Sequence, residues 1–330
     1  MSTSTDAPAA AAAEPTRLEP VDQFRGLAIL LMVLANFSAD IRSVPAWLKH
    51  AHDVGFTVTD LVAPLFVFAM ALTFAMSVER RARRDGAWPA AGQVVRRLFA
   101  LIGIGCVLSA GEIRCGFNPS GFNWGVLQAL GAAGLLTLPT LRLPAVARVG
   151  VAVGLLVVYQ YALDHGWRAV VLGSPHGGLE GSLAWAAMMI LATALAVPYH
   201  QGRRVRFALC AALVLAAGLG ALPWVPISKN RVSPSYVLVA TGLSGIVFAA
   251  VDLLVARLRV RLPLLTAWGR NPLILYVAHM VALSVFAIPD APWWFVEAPL
   301  WQAALQAAGL VAVLHLLARE LERRRWTLSL

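Results

Sequence analysis

Charged side chains are scarce in this sequence. Asp, Glu, Lys and Arg make up 13% of its 330 residues, against about a quarter in an average soluble domain. Too little polar surface remains for a chain of this length to be covered by water. Lysine is the rarest charged type, with only Lys49 and Lys229. Cysteine is sparse too. Cys106, Cys115 and Cys210 are odd in number and form no CxxC, which leaves no disulfide framework and no thiolate metal site. We read all three as structural. His50 and His52 stand two apart with no third ligand near, so no metal is expected. The chain has no phosphate-binding GxxxxGK loop, no GxSxG, no HExxH and no dinucleotide fingerprint. P-loop, serine-hydrolase, zincin and Rossmann chemistries are set aside accordingly. Residues 1–16 are mostly Ala, Ser, Thr and Pro without an apolar run or a basic segment. They read as a disordered tail, not as a signal peptide.

What is present is apolar. Hydrophobic residues make up 59% of the chain and the mean hydropathy is +0.72. A stretch of about 20 apolar residues spans a bilayer core. Ten such stretches lie at roughly 24–40, 57–78, 93–111, 123–140, 145–163, 181–198, 205–222, 235–256, 271–288 and 299–318. Turn signals separate them: Asp85-Gly86 and Pro89, Asn118-Pro119, Leu143-Pro144, Pro223 to Pro226, Pro289 and Pro292. The expected fold is all-α, a polytopic integral membrane bundle of about ten transmembrane helices. One domain covers 17–325, followed by a short tail at 326–330.

The cations orient it. Alternate gaps hold Arg17 and Arg25; Arg80, Arg81, Arg83, Arg84, Arg96 and Arg97; Arg142 and Arg148; Arg203, Arg204 and Arg206; Arg257, Arg259, Arg261 and Arg270; and Arg319, Arg323, Arg324 and Arg325. The other gaps hold only Arg42, Lys49, Arg114, Arg168, Lys229 and Arg231. The positive-inside rule puts the first set, with both termini, in the cytoplasm. The net charge of +10 is then topogenic, and no nucleic-acid partner is expected. Both lysines and four of the seven histidines (His50, His52, His165 and His176) fall on the outer side.

Several groups there could do chemistry. Asn36 and Asp40 stand four apart near the outer end of the first stretch. They are followed by Lys49, His50, His52 and Asp53, and Asp60 heads the second stretch. A carboxylate beside a histidine fixes its tautomer and makes it a competent general base. Asp60 alone could equally cap a helix. A second outer segment holds Lys229, Asn230 and Arg231, then Tyr236. His279, three residues after Tyr276, falls near mid-membrane, where an ionisable group is a functional candidate by default. Asn271 precedes Pro272, and Gln128 lies in an apolar stretch where it needs a hydrogen-bond partner. On the inner side Asp22 and Arg25 share a helical face, either as an interfacial anchor or as a site for an anion. His315 reads as structural.

The stretches Val21-Asp22-Gln23-Phe24-Arg25-Gly26, Leu48-Lys49-His50-Ala51 with Thr57-Val58-Thr59-Asp60, Gly125-Val126-Leu127-Gln128, Pro226-Ile227-Ser228-Lys229-Asn230 with Ser235-Tyr236, and Asn271 to His279 resemble the heparan-α-glucosaminide N-acetyltransferase family. The blocks keep the family's order from residue 20 to about 280. The Asp-x-x-Arg-Gly opening is also similar to the wider membrane acyltransferase-3 superfamily. The resemblance implies a transmembrane acyltransferase that moves acetyl from cytoplasmic acetyl-CoA to an amine, such as that of an amino sugar, on the outer side. His50 matches the family's catalytic histidine, with Asp60 and His279 as further catalytic candidates. Asn36, Asp40, Lys49, Gln128, Lys229, Asn230, Tyr236 and Asn271 are the candidates for binding the acceptor or the oxyanion. Asp22, Arg25, Arg96, Arg97 and Arg270 are those for the coenzyme. His50 would act either as general base or as acetyl relay. Departures from the pattern are Asp53 for tryptophan, Ala63 for phenylalanine, Ala71 for glycine and Phe122 for arginine. The expected partners are the bilayer, a small-molecule or glycan acceptor and a second copy in a homodimer. The expected location is a bacterial inner membrane. Two other readings are an O-acetyltransferase of envelope polysaccharide and a transporter using the same polar cavity.

Overall fold

The computed structural model describes residues 18–114, 121–287, 289 and 291–326. The expected N-terminal tail, Arg17, Cys115, the Asn118-Pro119 turn and residues 327–330 lie outside these. The described chain is helical, without strands. Its helices are α1 (Glu19–Ser38), α2 (Val62–Asp85), α3 (Ala87–Arg114), α4 (Val126–Thr137), α5 (Ala145–Ala162), α6 (Arg168–Leu172), α7 (Gly178–His200), α8 (Arg204–Gly220), α9 (Pro234–Asp252), α10 (Pro263–Arg270), α11 (Pro272–Ala287) and α12 (Leu300–Arg323).

Each of the ten apolar stretches falls on a helix. Among the described residues, seven helical segments are long and apolar enough to cross a membrane: Glu19–Ser38, Thr59–Asp85, Ala87–Arg114, Ala145–Leu172, Pro175–His200, Pro234–Arg257 and Leu300–Arg323. The other three stretches fall on α4, α8 and α11, of 12, 17 and 16 residues. At 1.5 Å per residue, α4 rises only ~18 Å. Its α-helical hydrogen bonding gives way at Thr137 to a 3-10 turn that runs to Arg142, because Pro139 has no N–H to donate. The sequence also starts α1 too late. Pro20 suits the first helical turn, and Glu19 and Asp22 there complement the helix dipole.

α7 is the axis of the bundle. Its residues from Leu183 to Val197 are almost all apolar on every side, which suits a helix enclosed all round. Eighty-nine per cent of its most apolar window is buried, and it packs against α2, α4, α5, α8 and α9. By contrast, α3 and α12 are peripheral and expose Val107, Leu305, Val313 and Leu316. Such apolar faces suit lipid and not water. Where helices cross closely, glycine allows it. A Cβ on Gly26 would lie 1.9 Å from the Leu265 carbonyl oxygen, and one on Gly269 would lie 1.8 Å from that of Asp22. This locks α1 antiparallel against the short α10.

Candidate active site

The site is built at one end of the bundle from two irregular segments, residues 39–58 after α1 and 221–233 before α9. α1 stops at Ser38. Asp40 therefore leaves the helical face of Asn36 and is exposed, and the structure does not bring it to the site. The following turn is closed by its own side chains. Lys49 Nζ donates to the Ile41 carbonyl at 2.6 Å, and the Thr59 hydroxyl donates to the Leu48 carbonyl at 2.6 Å.

This closure sets His50 over Asp60, which sits in a 3-10 turn (Thr59–Leu61) at the head of α2. His50 Nδ1 donates to Asp60 Oδ1 at 2.7 Å. The carboxylate side chain is 0% exposed, while the imidazole is 39% exposed. The other carboxylate oxygen accepts from the Thr57 amide at 2.9 Å, the Thr57 hydroxyl at 3.0 Å and the Ala51 amide at 3.3 Å. The Asp60 main-chain carbonyl accepts from the Tyr236 hydroxyl at 2.8 Å. With Nδ1–H committed to a saturated carboxylate, Nε2 keeps its lone pair.

The second segment is stitched to the first. Gly55 N donates to the Ile227 carbonyl at 2.9 Å, and Asn230 Nδ2 donates to the His52 carbonyl. Arg231 grips Asp53 with Nε and a terminal nitrogen, and Ser228 adds a third bond to the same carboxylate at 2.9 Å. The Arg231 hydrogen bonds hold the Asp53 carboxyl below its ordinary value, against the opposing effect of burial. Asp53, which departs from the family pattern, is thus a rivet between the two segments. Lys229 is buried between them. Burial pushes its ammonium below the ordinary lysine value, and the charge of Asp60 opposes that shift.

A second group lies on α1 and α11. Asn36 Nδ2 and His279 Nε2 are 3.0 Å apart, and the edge of Tyr276 lies 5.0 Å from His279 between ring centroids. His279 is fully buried. Glu112, near the C-terminal end of α3, bonds the Asn123 side chain and is within electrostatic reach of Tyr276. Sequence reasoning passed over Glu112, although an acid on an apolar helix was the available signal. Gln128 is turned away to structural work. Its Nε2 donates to the Asn123 carbonyl at 3.2 Å, and its amide fills the space a Cβ on Gly105 would take. Asn271 is buried at the break between α10 and α11.

The family model described as "Heparan-alpha-glucosaminide N-acetyltransferase, catalytic" matches residues 17–281. This chain belongs to that family. The heparan-alpha-glucosaminide N-acetyltransferase of Homo sapiens is 35% identical over 125 residues, 36% of this chain and 18% of that protein. The Mus musculus protein of the same name is 36% identical over 123 residues, 35% of this chain and 18% of its own length. The chain therefore aligns with less than a fifth of either relative. The region shared with the family model contains His50, Asp60, Lys229 and the Asn36–His279 pair.

The coenzyme candidates of this family member fall into two places. Arg25 lies 3.7 Å from Asp22 and donates to the Thr73 hydroxyl, and Arg270 pairs with Glu322 of α12 at 2.6 Å. Both are at the α1–α10 crossing. Arg96 and Arg97 lie elsewhere, lining an open cavity of about 300 Å³ with Arg81, Gln93 and Ala100 between α2 and α3.

Proposed function

We propose that this protein is a single-domain transmembrane acetyltransferase. Ten helices cross the membrane with both termini cytoplasmic, and acetyl passes from cytoplasmic acetyl-CoA to the amine of an amino sugar on the outer side. The observation that carries this reading is the His50–Asp60 pair at 2.7 Å, with the carboxylate otherwise saturated and the imidazole half open.

His50 Nε2 takes a proton from the acceptor nitrogen as it attacks the thioester carbonyl. The negative charge that develops on the carbonyl oxygen needs a donor aimed at it. Lys229 suits that task better than Asn230, whose amide is already bonded to His52. The C–S bond then breaks, and the thiolate leaves with the proton held by His50.

The reach of the donor favours Arg25 and Arg270 for the coenzyme phosphates. From Arg25 to Asn36, α1 rises ~17 Å. The arm of CoA between sulfur and first phosphate is about 13 bonds and extends ~16 Å, by the reach of an extended backbone. Phosphates at the inner crossing would therefore set the thioester beside the Asn36–His279 pair. The Arg81–Arg96–Arg97 cavity lies ~31 Å of helix from Asp60, about twice that reach. Ala35, Phe37 and Ser38 of α1 border one cavity of about 280 Å³ with Leu48 and Thr59, the neighbours of His50 and Asp60. The two histidine pairs thus share one end of the bundle.

The deciding experiment is release of free CoA by the purified protein, given acetyl-CoA and glucosamine. Amine-dependent release is expected, and His50→Ala abolishes it while CoA binding persists. Absence of amine-dependent release in the parent protein, or full turnover by the variant, overturns the reading. Release with acetyl-CoA alone would instead put acetyl on the protein before transfer.

A further inference from the structure

The hairpin of α2 and α3 carries more positive charge than it pairs. Between residues 61 and 111 the chain has six arginines and two acids, Glu79 and Asp85. Arg83 lies 3.3 Å from Glu79. Arg84 holds both Asp85 oxygens, at 2.8 and 2.9 Å, and Gln93 Nε2 adds a bond to the same carboxylate at 3.1 Å. Both acids are thus committed near the turn. Arg81, Arg96 and Arg97 gather instead around the open cavity of about 300 Å³, with Gln93 and Ala100. Arg81 donates to Gln93 Oε1 at 3.3 Å and is within electrostatic reach of Asp85. Among the described residues, no carboxylate forms an ion pair with Arg96 or Arg97. The positive-inside rule accounts for arginines in this gap. It does not account for three of them lining one cavity while both acids are held by Arg83 and Arg84.

The cavity adjoins an apolar surface. α3 is peripheral, with only 22% of its most apolar window buried. Arg96, Ala100, Gly103 and Val107 share one exposed face of the helix. Phe99 beside them is 58% exposed and Val107 72%. A Cβ on Gly103 would meet nothing within 4 Å, so the face forms a shallow trough there. Trp88, exposed in the first turn of α3, has the place of an aromatic anchor at headgroup level.

Guanidinium groups match a phosphate through parallel N–H···O bonds. A soluble phosphate would use only the basic end of this surface. A phosphodiester that continues into acyl chains would use the cavity and the trough together. Acetyl-CoA held here would leave its thioester far short of His50, by the reach of its arm.

We propose that the Arg81–Arg96–Arg97 cavity binds the headgroup of an anionic phospholipid, whose acyl chains lie along α3 from Ala100 to Val107. The phosphate supplies the negative charge that the hairpin lacks and ties the end of α2 to the start of α3. The site stands whether or not the protein transfers acetyl. Only its leaflet, the cytoplasmic one, rests on the topology proposed above.

The test measures lipid retention by the purified protein in detergent, using native mass spectrometry. Phosphatidylglycerol and phosphatidylcholine of matched chains are offered to the parent protein and two double variants. Arg96→Gln/Arg97→Gln removes the unpaired cations. Arg83→Gln/Arg84→Gln removes the same charge from the same hairpin, outside the cavity. The parent protein is expected to prefer phosphatidylglycerol. The first double variant should lose on the order of ten-fold in affinity for it, and with that the preference, while the second stays within a few-fold of the parent protein. No preference in the parent protein, or equal losses in the two double variants, would overturn the proposal. Should the first variant fail to fold, Ala100→Phe carries the test. It fills the cavity at an exposed position without changing charge, and undiminished phosphatidylglycerol retention by it would count against the site. Inorganic phosphate and CoA should not displace the lipid. Displacement by either would assign the cavity to a soluble phosphate and overturn the lipid.

Discussion

Replacing Asp60 by asparagine tests the central geometry without changing its shape. Four hydrogen bonds reach the carboxylate, one to Oδ1 from His50 and three to Oδ2 from Thr57 and Ala51. The amide has a single oxygen. Three donors outvote one, so the oxygen turns toward Thr57 and Ala51 and the NH2 faces His50 Nδ1 across 2.7 Å. Nδ1 must then accept, which places the imidazole proton on Nε2. The nitrogen that serves as base is now occupied. Losing a correctly poised base costs on the order of 10²–10⁴ in rate. Losing one charge-assisted bond at a buried site costs about 1.5–3 kcal/mol of stability. Asp60→Asn should therefore melt lower than the parent protein, stay folded at assay temperature and keep acetyl-CoA binding, while kcat for CoA release collapses. Turnover within a few-fold of the parent protein would refute the role of Asp60 in setting the tautomer. Loss of acetyl-CoA binding together with turnover would show that the substitution acts by unfolding the site.

Gly269→Ala puts a methyl group where Asp22 O stands 1.8 Å away. Overpacking of this kind costs about 1–3 kcal/mol, so melting temperature and acetyl-CoA affinity should both fall. Gly150→Ala, with nothing within 4 Å, should leave both unchanged or slightly raised, and equal effects of the two would sink the account of the α1–α10 crossing. The Asp53–Arg231 pair gives a pH signature. The folded carboxyl titrates below its ordinary 3.8, so the pair's contribution is complete above that value and is lost as the pH falls through the folded one. Asp53→Asn should destabilise the protein at neutral pH, and the gap should close in acid; a gap that persists there would show that the pair is not its origin. A cysteine replacing exposed Trp88, in the Arg80–Arg97 gap, should be shielded from an impermeant outer thiol reagent, and one replacing Lys49 should be labelled. The reverse pattern would invert the topology.

Composition and periodicity made the helical, lipid-embedded character of the chain legible, because apolar runs near 20 residues and basic gaps are properties of the chain read locally. The same holds for the His50–Asp60 pair, since only nine residues of chain separate the two. The sequence also pointed to the family through five short blocks. It did not determine how long each helix is, because a proline two residues after Thr137 and the break at Asn271 shorten helices in ways that hydropathy does not register. Nor did it separate candidates that merely lie near the site from those that enter it. Lys49 and Gln128 bond main-chain carbonyls, Asp40 falls beyond the end of α1, and Asp53 is bound to a residue 178 positions away. Glu112 comes into play only through the packing of α3. Direction of a side chain is fixed by whichever partner desolvates with it, and those partners come from helices distant in the chain. The sequence by itself set what kind of protein this is and which residue types its chemistry draws on. The tertiary structure alone decided which of them pair with one another.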